Sequence, residues 1–313
     1  MAGHQHRMHG WRACRGVALA AATAALASAC GVAPAANSAQ PAGSAALPAP
    51  AAGAPASGSG SGSAAAGSPG PGAAAAAPAG SAHPAAPGAS AGSQANPLKG
   101  KIVGIDPGHN GRNGTDPAYI NHLVWNGREW ETCDTTGTET DGGYTEARFN
   151  FNVATYLRGY LRRDGARVVM TRHNNDGVGP CVNRRSQIIN RVHANVAIDI
   201  HADGGPAGGR GFTVLEPVAD GPNDKVITSS ARFGRDVRSA FLADTSMPTS
   251  DYYGNDGMIL RDDLAGLNLT TVPRVLIECG NMRNGTDAGL LTSASFQKRI
   301  ARALLAAIIR FLR

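Results

Sequence analysis

Three short apolar segments, each running into a residue that can bind a metal or move a proton, constrain this chain more than any other feature. Ile102-Val103-Gly104-Ile105-Asp106 breaks at Pro107-Gly108 and presents His109. Val196-Ala197-Ile198-Asp199-Ile200 runs into His201, and Arg274-Val275-Leu276-Ile277 runs into Glu278. Short apolar runs bounded by turn residues read as buried strands. In an open α/β sheet, ligands collect outside the carboxyl ends of the strands. The pattern therefore predicts one crevice where His109, His201 and Glu278 meet.

The intervening sequence supplies the helices. Glu146 follows Thr145, a candidate N-cap, and opens a stretch in which Phe149, Val153, Tyr156, Leu157 and Tyr160 recur at helical spacing. Gly165 reads as its stop, ahead of a strand over 167–171. A second helix is predicted over 182–193 with Val182, Ile188, Ile189 and Val192 inward. A strand over 211–216, a helix over 226–243 and a closing helix over 300–312 follow. Alternating strands and helices imply a single α/β domain, a mostly parallel twisted sheet with helices on both faces. Asn126-Gly127, between Leu123-Val124-Trp125 and 128–131, predicts a β-hairpin with a type I′ turn near the site. Its two tryptophans are expected to cap the core, with stacking on a sugar as the competing reading.

A carboxylate in the first turn of a helix gains roughly 0.3–1 kcal/mol from the helix dipole, which favours Glu146 as a well-held anion. Two His and one Glu are the ligand set of a catalytic zinc, which keeps a fourth position open for water. His109, Glu146 and His201 are the candidate ligands of one Zn2+, and Glu278 remains as acid and base. Asp106 and Asp199 read either as acceptors orienting the imidazoles or as turn caps. Asp203 reads as a turn residue. Arg261 is a candidate clamp for a substrate carboxylate, with an ion pair to Asp262 or Asp263 as the competing reading.

IDPGHNG at 105–111, TEARFNFNVA at 145–154, MTR at 170–172, NRRSQIINRVHANVAIDIHADG at 183–204 and VPRVLIECGNMRN at 272–284 stand in this order. Together they resemble the zinc-dependent N-acetylmuramoyl-L-alanine amidases of the α/β type, over essentially all of 98–313. The resemblance implies zinc ligands at His109, Glu146 and His201, a catalytic glutamate at Glu278, and hydrolysis of the bond between muramic acid and the peptidoglycan stem. The inhibitory insertion of some family members has no counterpart here, so an open site is expected. Two other functions use similar residues: a zinc carboxypeptidase trimming stem peptides, and a non-catalytic wall-binding module.

Composition sets the frame around that domain. Of 313 residues, only 98–313 mixes apolar and charged residues as a packed domain does; a domain of that size buries roughly 70% of its unfolded surface. Three of the 29 basic residues (Arg7, Arg12, Arg15) precede Leu98, leaving 26 against 23 acidic. That slight excess suits an anionic wall, and nothing in the chain resembles a nucleic-acid stripe. The basic start and the apolar run 17–29 read as a signal peptide, too short to span a bilayer. Cleavage at Ala27-Ser28-Ala29 and lipidation of Cys30 both remain open. Residues 30–97, rich in Ala, Gly, Pro and Ser, lack aromatic and charged side chains and read as a disordered spacer with a root-mean-square span of roughly 45 Å. Export to the cell envelope follows, with peptidoglycan as partner and a monomer expected. In that oxidising setting Cys133 and Cys181, both in loop-like surroundings, are the expected disulfide, and Cys279 a core residue.

Overall fold

A computed structural model describes residues 96–313. The expected signal segment, Cys30 and nearly all of the spacer lie outside the described residues. The strands are β1 (Ile102–Pro107), β2 (Leu123–Trp125), β3 (Trp130–Thr132), β4 (Arg167–Met170), β5 (Val196–Asp203), β6 (Thr213–Pro217), β7 (Met258–Arg261) and β8 (Arg274–Asn281). The helices are α1 (Pro117–Ile120), α2 (Glu146–Arg163), α3 (Val182–Arg191), α4 (Ile227–Asp244), α5 (Ala265–Asn268), α6 (Gly285–Leu291) and α7 (Ala294–Leu312). Among the described residues no helix is long and apolar enough to cross a membrane.

Six strands form one sheet in the order β4-β1-β5-β8-β6-β7. The first four are parallel, β6 runs antiparallel to β8, and β7 is parallel to β6. Helices cover both faces, so the α/β architecture read from the sequence holds. On one face α2, α4 and α7 pack together. Phe149, Val153, Leu157 and Leu161, spaced four apart along α2, are fully buried with Phe233, Val237, Ile300 and Leu304 against Ile105, Ile198, Ile200 and Ile277. Each such side chain contributes about 1.5–3 kcal/mol by leaving water. This layer fixes where the parallel strand ends lie.

The opposite face, under α3 and α5, is more polar. Alternation along the strands sends Asp106 and Asp199 there, and the two are paired in register. Two adjacent carboxylates in a buried layer need cations. Arg274 bonds Asp199 Oδ1 and Asp106 Oδ2, both at 2.7 Å, and Arg185 bonds Asp106 Oδ1 at 2.9 Å. The inward residues of α3 are therefore Arg185, Ser186 and Ile189; the expected Val182, Ile188 and Val192 are only partly buried. Asp106 and Asp199 thus neither orient imidazoles nor cap turns.

The hairpin forms with a different turn. Trp125 pairs with Trp130, leaving four loop residues. The Asn126 side-chain oxygen accepts from the N–H groups of Arg128 and Glu129, both at 2.8 Å, so the side chain closes the loop and only Gly127 takes positive φ (109°). The tryptophans meet edge to face at 5.7 Å. They do not cap the core, being 44% and 64% exposed, because the alternate residue Val124 is the one that packs onto Cys133, Cys181 and Val182.

Cys133 and Cys181 are bridged as expected, with Cα atoms 4.4 Å apart, and Cys279 is buried and free. The bridge closes a loop across a separation of 48 residues, for which chain entropy gives a stabilisation of about 4 kcal/mol as an upper value. A Cys133→Ser, Cys181→Ser double variant is expected to lose stability by up to that amount in denaturant melts. Identical midpoints with and without the bridge would contradict it.

Candidate metal centre

The site begins with a strained residue held from behind. His109 has φ 56°, a conformation that non-glycine residues adopt only when their surroundings enforce it. Two buried guanidinium groups do so. Arg172 donates from Nε to Pro107 O at 2.9 Å and from Nη2 to Gly108 O at 3.1 Å. Arg185 donates from Nη1 to Pro107 O at 2.8 Å and from Nη2 to His109 O at 2.9 Å. Three successive carbonyls are thereby fixed.

The imidazole so presented meets two partners. Its Nε2 lies 3.1 Å from Glu146 Oε2, and Glu146 Oε1 lies 2.8 Å from His201 Nδ1. One ligand atom from each of His109, Glu146 and His201 lies within 4.8 Å of the others, so this trio could hold a metal ion. Close backbone approach makes the packing possible. A Cβ on Gly108 would come within 2.0 Å of the His201 ring, and one on Gly137, itself at φ 73°, within 2.5 Å of Glu146 Oε2. A second cluster, His122 with Cys133 and Cys181, has its sulfurs committed to the disulfide.

Glu146 opens α2 as expected, but Thr145 makes no side-chain cap. The carboxylate instead turns back to accept from Thr138 N at 3.0 Å, anchoring it beside the histidines. Burial would raise its pKa; His109 and His201 outweigh that and hold the carboxyl well below the usual range. Burial likewise opposes charge on His109, yet Glu146 and Asp134 raise its pKa to about 10. Asp134 Oδ1 lies 3.2 Å from His109 Nδ1. A carboxylate on the far nitrogen fixes tautomer and ring orientation in metal-binding histidines. Asp134 is fixed in turn by Arg185, 3.0 Å from its Oδ2.

His201 and Glu278 sit opposite one another on β5 and β8, inside strands that run on to Asp203 and Asn281 rather than just past their ends. Glu278 Oε2 is buried without a hydrogen-bond partner. Burial, reinforced by Glu146 and Asp203, raises its pKa well above the ordinary carboxylate value. Two glutamates are thus pushed to opposite extremes, the arrangement that separates an anionic ligand from a proton carrier. Asp203 accepts from the Tyr252 hydroxyl at 2.8 Å and from Gly204 N, in keeping with a turn role. Arg261 shares a cleft of about 330 Å³ with Glu278 but is occupied by Asp263, at 2.6 Å, and by the Tyr253 hydroxyl. The ion-pair reading of Arg261 therefore describes the structure.

A family model described as N-acetylmuramoyl-L-alanine amidase matches residues 103–310. The chain belongs to that family. It is 39% identical over 239 residues to an N-acetylmuramoyl-L-alanine amidase of Mycobacterium tuberculosis, covering 74% of this chain and 94% of the relative. The solved amidase Ami1 from Mycobacterium smegmatis superposes with TM-score 0.65 at 38% identity, over 69% of this chain and 98% of that one. The apo form of Ami1 from Mycobacterium abscessus gives TM-score 0.65 at 39% identity, over 69% and 100%.

Asp134, Arg172 and Arg185 were not singled out by the sequence as site residues. The available signals were the position of Asp134 directly after a bridged cysteine and Arg172 within the MTR motif. If Asp134 orients His109, Asp134→Ala should lower affinity for a divalent metal by about 10–100-fold, read by chelator competition. Arg185→Lys should also weaken binding, since ammonium cannot reproduce the planar fork. Unchanged affinity in both variants would contradict this role.

Proposed function

We propose that this chain hydrolyses the amide bond between N-acetylmuramic acid and L-alanine in peptidoglycan, using one zinc ion held by His109, Glu146 and His201. The observation that carries the reading is Glu278: a buried carboxyl with an unpartnered oxygen beside a two-imidazole, one-carboxylate donor set. The donors fit zinc, which takes nitrogen and carboxylate oxygen ligands and in catalytic sites keeps one position free. A binding module would have no use for a desolvated acid aimed into the cleft, since leaving a buried polar group unpaired costs about 1–3 kcal/mol.

Zinc, when bound, supplies a Lewis acid that lowers the pKa of water toward ~7 and stabilises negative charge on the scissile carbonyl. Glu146 contributes an anion that compensates the cation, while Asp134 and Arg185 keep His109 in one tautomer and orientation. A cation held by the neighbouring donors would favour the ionised form of Glu278, whose free Oε2 can then take the proton of the attacking water and return it to the departing alanine nitrogen. Leu215, Leu264 and Leu276 give the same cleft apolar walls. The proposed setting is the cell envelope, with peptidoglycan as partner; secretion and a lipid anchor at Cys30 are both compatible with it, and the domain acts as a monomer.

Two measurements test the reading. Mass spectrometry of products released from purified peptidoglycan is expected to find free stem peptides beginning with alanine; trimmed stems still joined to muramic acid would point to a carboxypeptidase. Glu278→Gln should lower kcat by about 10²–10⁴ while zinc content and melting temperature hold. Parallel loss of zinc and activity would make Glu278 a ligand, and near-normal turnover would assign the proton to another residue, Asp203 first.

A further inference from the structure

The two histidines stand between two recesses. One is the cleft holding Glu278. The other is a cavity of about 190 Å³ that reaches His109 and His201 from the hairpin side, where it is lined by Glu131, Thr132, Val182, Leu264 and Leu276 among others. Leu264 and Leu276 border both recesses, so a substrate seated at the histidines has access to either. The mechanism above uses only the first.

The second cavity pairs hydrocarbon walls with four carboxyl groups; Asp106, Asp134 and Asp199 are tied to Arg185 or Arg274, and Glu131 is the one of the four without such a partner. Glu131 lies on β3, its neighbours Trp130 and Thr132 facing solvent while it turns inward, half-buried. Its Oε1 accepts from Ala265 N at 3.2 Å. Among the described residues it forms no ion pair, and burial raises its pKa to about 7, with Asp263 and Glu129 adding to the rise against its hydrogen bonds. The arginine that also lines this cavity, Arg185, already donates to Asp106, Asp134 and three backbone carbonyls. A half-buried carboxylate without a cation is a ready partner for one, because an incoming ammonium relieves the cost of its partial burial.

We infer that Glu131 is a specificity-determining residue, and that the cavity receives an aliphatic side chain ending in a primary ammonium, its methylenes against Leu264, Leu276 and Val182 and its amine at Glu131. This rests on the amidase reading and adds to it the class of stem peptide preferred: one bearing a diamino residue with a free side-chain amine. The competing role for Glu131 is to cap the amino end of α5 through Ala265 N. Glutamine keeps that acceptor and removes the charge, so the two roles separate.

The experiment uses the full zinc-loaded chain and two soluble muropeptides, identical except that the side-chain amine of the diamino residue is free in one and acetylated in the other. Wild type is expected to favour the free amine in kcat/KM by about tenfold or more, the difference residing in KM, as a charge-assisted hydrogen bond provides. Glu131→Gln should bring kcat/KM for the free amine down to the acetylated level. Equal kcat/KM for both substrates in wild type, with amide hydrolysis intact, overturns the inference and leaves the amidase reading standing. Selectivity that survives in Glu131→Gln also overturns it, since the cap alone is then what Glu131 provides. Hydrolysis of neither substrate overturns the amidase reading and this inference with it.

Discussion

The structure depends on a buried chain of charges behind the strand ends. Asp106 and Asp199 are neighbours across β1 and β5, and each is tied to a guanidinium, with Arg274 wholly buried between them. Arg185 carries the chain forward from Asp106 to Asp134, and Asp134 to His109. Removing one member of such a set would leave an uncompensated charge, at roughly 3–5 kcal/mol. An apolar layer of equal volume could serve stability as well. What it could not do is hold the carbonyls of Pro107, Gly108 and His109 and the far nitrogen of an imidazole at once. The polar face of this sheet is therefore tied to the site, while the opposite face, built from α2, α4 and α7, carries the hydrophobic core.

Electrostatics divides the work between two carboxylates of the same type. Glu146, flanked by His109 and His201, is kept anionic; Glu278, on β8 between Glu146 and Asp203 with no donor to its Oε2, is pushed toward the protonated form. In the proposed mechanism the same acid in two environments serves as ligand and as proton carrier. Their placement follows from topology. His201 and Glu278 are in register on adjacent parallel strands, and Glu146 enters from the first turn of a helix packed on the opposite face.

Much of this was legible in the sequence because it rests on local chemistry. Apolar runs fixed the strands of the parallel core, the four-residue spacing of Phe149, Val153 and Leu157 fixed α2, and the Pro-Gly break after Asp106 pointed to a presented histidine. The parts that were not legible depend on partners distant in sequence. Nothing local distinguishes Arg185 from the exposed Arg184 beside it; only Asp106 and Asp134, from other segments, draw it inward. Asn126-Gly127 carried a strong turn signal, yet the Asn126 side chain satisfied Arg128 and Glu129 and selected a longer loop. The tryptophans were assigned inward on hydrophobicity alone, whereas β-strand alternation gives that place to Val124 and Glu131.

The central claim is that the charge network presents His109 to Glu146 and His201 as one metal site, with Glu278 apart from it. Crystals of the zinc-loaded protein, measured on both sides of the zinc absorption edge, test it most directly. The expected result is a single anomalous peak among His109, Glu146 and His201, within bonding distance of each, and no bond to Glu278. A peak elsewhere, or one that Glu278 ligates in place of Glu146, would contradict it.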